Sequence, residues 1–106
     1  MSYVSHYPSS EPTRAEVDAL PGATLLEFSA PWCPHCQAVQ PQLQQLLNSE
    51  VRHLKVEDGR GKPLGRSFAV RVWPNLVFLR DGQVLAQLAR ATSQEIESAF
   101  QLFSKE

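Results

Sequence analysis

The chain has 106 residues, and since single domains commonly run to ~100–150 residues, it holds one domain and excludes a two-domain enzyme. Ten Lys and Arg against eleven Asp and Glu give a formal charge of −1, spread without blocks. That excludes the basic footprint of a nucleic-acid binder or of a protein drawn to anionic membranes, and two cysteines are too few for a disulfide scaffold or a four-cysteine zinc site.

Residues 1–12 are polar and carry Pro8 and Pro12, with Tyr3, Val4 and Tyr7 offering weak alternation. They read as a loosely ordered N-terminal segment or an edge strand ahead of a single domain over residues 13–106. The start has neither a positive n-region nor an apolar stretch, and no run approaches the ~20 apolar residues of a membrane span. The expected location is the cytoplasm and the expected state a monomer. Thr13 and Glu16 have capping-box spacing, which predicts a short helix to about Leu20. After the Pro21-Gly22 turn, residues 23–29 alternate, with Leu26 and Phe28 on one face and Leu25 and Glu27 on the other. Glu27 interrupts an otherwise apolar central strand.

From Cys33 the period becomes helical, through Cys36, Val39, Gln40, Leu43, Leu46 and Leu47, and Pro41 is expected to kink that helix. Residues 51–57 alternate again, with Leu54 and Val56 as the apolar set. A glycine-containing loop over 58–61 leads to a short helix around 63–68. Residues 75–79 form an apolar run, Asp81-Gly82 is a hairpin turn, and residues 84–89 return antiparallel. Thr92 and Glu95 repeat the capping box, and Ile96, Ala99, Phe100 and Phe103 make one apolar stripe on a last helix. The order, βαβ followed by ββα, predicts an α/β domain with a mixed central sheet of four to five strands flanked by helices.

Chemistry concentrates in Trp32-Cys33-Pro34-His35-Cys36, where a buried strand gives way to a helix. Free backbone N–H groups and the macrodipole at a helix start favour negative charge, so Cys33 is expected to be the nucleophilic thiolate. Cys36, one turn in and less exposed, is expected to resolve. Pro34 fits the first turn, where its missing N–H costs nothing. His35 can place an imidazolium beside the sulfurs and stabilise the reduced form. The rival reading is zinc, with Cys33, His35 and Cys36 joined by His53 or His6, but adjacent ligands on one turn make poor tetrahedral geometry.

The run Glu27-Phe28-Ser29-Ala30-Pro31-Trp32-Cys33-Pro34-His35-Cys36 resembles the thioredoxin family's acid-Phe-x-Ala-x-Trp-Cys-x-x-Cys. Pro41, five residues past Cys36, is similar to the family's kink proline, Val72-Trp73-Pro74-Asn75 to its cis-proline segment, and Gly82 to its turn glycine. The resemblance covers nearly all of the chain and implies the thioredoxin fold and thiol–disulfide exchange. It implies Cys33 as nucleophile, Cys36 as resolving thiol, and a substrate-docking edge in the backbone before a cis Pro74. No cofactor is implied beyond the Cys33–Cys36 disulfide itself. The partners implied are protein thiols or disulfides, with a thioredoxin-reductase-like or glutathione electron donor.

The departures are as informative. Pro34-His35 is similar to the dipeptide of the oxidising DsbA proteins, without their helical insertion. Glu27 stands where thioredoxins carry a buried aspartate; it is expected to have a raised pKa and to take the proton of Cys36, with His53 or Lys55 as its partner. Trp73 is bulkier than the usual aliphatic residue and is expected to narrow the docking groove beside Trp32. Arg90 replaces a glycine, so the groove is expected either to favour an acidic partner or to carry Arg90 as plain solvated charge. The alternative to an enzyme is a binding or chaperone module of the same fold with little turnover.

Overall fold

The computed structural model describes residues 2–104; Met1 and the last two residues of the expected domain, Lys105 and Glu106, lie outside the described residues. Helix α1 spans Arg14–Asp18, β1 Ala23–Ser29, α2 Pro34–Leu46, β2 Val51–Glu57, α3 Pro63–Ser67, β3 Asn75–Arg80, β4 Gln83–Ala89 and α4 Ser93–Phe100, with a 3₁₀ turn over Gln101–Ser104. Both capping boxes form: the side chains of Thr13 and Thr92 accept from the amides of Glu16 and Glu95, and each glutamate reaches back. These satisfy donors that the first helical turn leaves orphaned.

The strands make one four-stranded sheet in the order β2-β1-β3-β4. Strand β1 runs parallel to β2 and antiparallel to β3, which pairs antiparallel with β4. Among the described residues no fifth strand forms, since residues 2–12 make no ladder. The Asp81-Gly82 turn has positive φ at both residues, the twist that joins two antiparallel strands through two residues. A Cβ at Gly82 would also run into the Asp18 carbonyl. Pro41 is accommodated inside α2, which continues through it to Leu46.

Every residue of β1 is buried, because apolar layers cover both faces of the sheet. Leu25, Leu43, Leu47, Leu76, Phe78, Ile96 and Ala99 pack on the side of α2 and α4. Val17, Leu26, Phe28, Val56, Leu64, Phe68, Val77 and Leu79 pack on the side of α1 and α3. Burial of each such side chain is worth ~1.5–3 kcal/mol, so β1 is the rigid axis of the molecule. Its C-terminal end delivers the chain to Cys33.

Candidate active site

Cys33 is the N-cap of α2, in extended conformation, and its sulfur accepts from the Cys36 amide at 3.2 Å. Pro34 fills the first helical position. The geometry gives Cys33 what an anionic sulfur needs: a backbone donor and the positive end of a helix. Cys33 is 4% exposed and Cys36 only 1%, and both are free thiols. Burial first, then the hydrogen bond to Cys33 and the negative charges of Cys33 and Glu27, push Cys36 up to about 12. The two thiols are chemically unequal.

Across from them the Trp73–Pro74 peptide is cis. Trp73 packs on the small cluster of Ala30, Cys33 and Cys36, and its indole N–H donates to Asp58 Oδ2 at 2.9 Å. The wide indole is thereby turned toward Asp58. Trp32, 69% exposed, meets it edge-on with ring centroids 5.5 Å apart. Arg90 has φ +50, a conformation that L residues rarely adopt. Its amide donates to the Pro74 carbonyl at 2.8 Å and its Nε to the Trp73 carbonyl at 3.0 Å. Arg90 thus donates to both carbonyls of the cis segment while its side chain stays exposed to solvent.

Glu27 lies fully buried beneath the cysteines. Its Oε1 accepts from His53 Nε2 at 2.8 Å and Lys55 Nζ at 3.3 Å. Its Oε2 accepts from Ser29 Oγ at 2.9 Å, Gln40 Nε2 at 2.8 Å and Lys55 Nζ at 3.1 Å. Burial by itself pushes this carboxyl up, but the His53 and Gln40 hydrogen bonds and the Lys55 ammonium outweigh it and bring Glu27 down to about 2. The raised pKa expected from the sequence is thus overturned, because donors converge on the carboxylate from β2 and α2. The choice between His53 and Lys55 also dissolves, since Glu27 holds both.

The same network contains residues that the periodicity did not single out for chemistry. Gln40 also donates to the Cys36 carbonyl at 2.9 Å, while its Oε1 accepts from Lys55 Nζ at 2.9 Å and from the Tyr3 hydroxyl at 2.6 Å. Its spacing of one turn from Cys36 on α2 was the available signal. Ser29 and Asp58 carried none. His35 is exposed, and the hydrogen bond that reaches Cys33 Sγ comes from a backbone amide. His53 has both ring nitrogens engaged, by Glu27 and by the Val4 amide, and His6 is exposed. Among the described residues no group of His, Cys, Asp and Glu is placed to hold a metal ion.

Comparison with known proteins agrees with this geometry. The family model described as Thioredoxin matches residues 9–101. The chain belongs to the thioredoxin family, a family of thiol–disulfide oxidoreductases. It is similar to the structure of thioredoxin 2 from Pseudomonas aeruginosa PAO1 in its reduced form, with a TM-score of 0.81 and 48% identity over 93% of this chain and 94% of that one. It is also similar to a protein disulfide-isomerase of Gallus gallus, 33% identical over 69% of this chain and 15% of the relative. A protein disulfide-isomerase A2 of Pongo abelii is 42% identical over 57% of this chain and 13% of the relative. The chain thus spans about one seventh of the isomerases it matches. The thioredoxin fold expected from the sequence is the fold observed, with Cys33-Pro34-His35-Cys36 as its Cys-x-x-Cys segment.

Proposed function

We propose that this protein exchanges two electrons with protein disulfides or dithiols through the Cys33/Cys36 couple, with no cofactor beyond that redox-active pair. The observation that carries the reading is the inequality of the two sulfurs: Cys33 caps a helix and accepts a backbone N–H, whereas Cys36 is buried behind it and held protonated. In the reducing direction Cys33 sulfur attacks a partner disulfide, forms a mixed disulfide, and releases one partner thiolate that takes its proton from solvent. Cys36 then loses its proton and attacks Cys33 Sγ, so the Cys33–Cys36 bond forms and the second partner thiolate leaves. The protein gains a disulfide and the partner gains two thiols. A thioredoxin-reductase-like enzyme or glutathione returns the electrons.

The network supports a different part for Glu27 from that of a simple base. With the Glu27 carboxyl held down by its donors and the Cys36 thiol held up by burial, direct transfer of a proton from the thiol is uphill in the resting state. In the mixed disulfide Cys33 has lost its charge, removing one influence that holds Cys36 up. Glu27 fixes Gln40 and Lys55 beside the resolving thiol. Trp32, Pro34, Trp73, Pro74 and Arg90 frame the surface on which a partner docks, and the Arg90 guanidinium favours a partner with a carboxylate beside its cysteine.

The test is the reduction of insulin disulfides in the presence of dithiothreitol. The wild-type chain is expected to accelerate it and Cys33→Ser to abolish the acceleration. A module that only holds its partner would leave the disulfides intact.

A further inference from the structure

Each donor to the Glu27 carboxylate is itself gripped by a residue of the N-terminal segment. The Tyr3 hydroxyl donates to Gln40 Oε1 at 2.6 Å. The Val4 amide donates to His53 Nδ1 at 2.8 Å, and since an amide only donates, Nδ1 is unprotonated and His53 is the neutral tautomer that presents Nε2–H to Glu27. The Tyr7 hydroxyl meets Ser29 Oγ at 2.8 Å. Ser29 spends its one hydrogen on Glu27, so Tyr7 is the donor in that pair. The Tyr7 ring covers the Lys55 ammonium at 4.9 Å from its centroid. Tyr3, Ser5 and Tyr7 also line one side of an open cleft of about 260 Å³ whose other lining includes Cys36, Gln40 and Lys55.

We propose that residues 3–7 form a strap that restrains the resolving step: Tyr3, Val4 and Tyr7 are positioning residues that lock the Glu27 network beside Cys36, and so lengthen the life of the mixed disulfide. The inference rests on the exchange chemistry proposed above. A segment without a ladder is held by three buried or half-buried side-chain and amide contacts, all aimed at one carboxylate. Glu27 stays ionised because four neighbours donate to it, and a locked anion opposes a second negative charge on Cys36. The strap adds desolvation, the largest influence holding the Cys36 proton. Tyr7 is itself raised to about 12, by burial first, so it remains a donor throughout the working range. The charged and titratable groups around Cys36 are Cys33 from the α2 cap and Glu27 from β1, with Lys55 from β2 and Tyr3 and Tyr7 from the strap in the same cleft; His53 from β2 acts on it through Glu27. The Pro74 loop brings uncharged Trp73.

Loosening the strap removes both restraints together. The proton of Cys36 then leaves to solvent through the cleft while the Cys33–partner S–S bond breaks, the Cys33–Cys36 bond forms and the partner departs as its thiolate. The experiment follows capture and resolution separately by acid-quenched rapid mixing of the reduced chain with a peptide disulfide, between pH 5 and 11. Tyr3→Phe/Tyr7→Phe deletes two hydroxyls and keeps the apolar cover, while Tyr7→Ala widens the cleft and uncovers Lys55. In Tyr7→Ala resolution at pH 7 is expected to quicken about tenfold and its pH midpoint to fall by about one unit, the two being one change in thiolate fraction. The double Phe variant moves the same way by less, and capture stays within about twofold. Resolution rates and pH midpoints equal to wild type in both variants, or slower resolution in either, would overturn the strap. Failure of the wild-type chain to form any mixed disulfide would instead overturn the exchange chemistry.

Discussion

Arg90 Nε donates to the carbonyl of Trp73 at 3.0 Å, so the carbonyl preceding Pro74 already spends one of its two lone pairs on Arg90. A docking strand meets that carbonyl beside an exposed guanidinium whose other N–H groups can take a carboxylate. The wild-type chain is therefore expected to process a peptide disulfide with Glu beside the reactive cysteine about threefold to tenfold faster, in kcat/KM, than the Gln counterpart, the range of ~1 kcal/mol for one exposed charge pair. Arg90→Gln should erase that preference, and rising salt should weaken it. Equal kcat/KM for the two peptides in the wild type would refute the docking role.

Glu27 makes stability depend on acid. Its folded value of about 2 lies below its ordinary 4.5, so the stabilisation from its partners is complete above pH 4.5 and is lost as pH falls from there through about 2. Urea midpoints measured across that interval should drop in the wild type. Glu27→Gln leaves Lys55 buried without its anion and should cost ~3–5 kcal/mol at pH 7. The variant should also lose this part of the acid slope; an unchanged slope would assign it to other carboxylates.

The sulfurs should label in order. With Cys36 raised to about 12, iodoacetamide at pH 7 is expected to modify Cys33 alone, as peptide mapping by mass spectrometry would show. Cys36→Ser should accumulate a mixed disulfide and Cys33→Ser should not. Labelling of Cys36 first would reverse the roles.

His35 is exposed, so water and salt screen its charge at the sulfurs. His35→Ala is expected to lower the reduction potential, by no more than the ~30 mV that one pKa unit represents for two electrons. A shift upward would remove the physical basis for likening Pro34-His35 to the oxidising members of the family.

The strands and helices were legible because hydrophobic period changes sharply along the chain: Leu26 and Phe28 do share one face, and Leu25 shares the other with Glu27. The cysteine pair was legible because a strand end, a proline at the helix start and the spacing of the sulfurs coincide in a few residues. The state of Glu27 was not. Its burial could be read from β1 alone, but its partners come from Lys55, directly opposite in the parallel register, and from Gln40 on α2. Register across two strands and one helix is a tertiary fact. Residues 2–12 looked loose because they bind through single hydroxyls, one amide and the Glu11 carboxylate, which leave no period in the sequence.

The most direct measurement is a titration of the full chain in glutathione redox buffers, with free thiols mass-tagged at each ratio. A dithiol couple requires one two-electron transition, in which both tags vanish together and map to Cys33 and Cys36 joined as an intramolecular disulfide, with a tenfold change in equilibrium per ~30 mV. Loss of one tag only, or a stable glutathione adduct at Cys33 that Cys36 never displaces, would contradict a Cys33/Cys36 exchange couple.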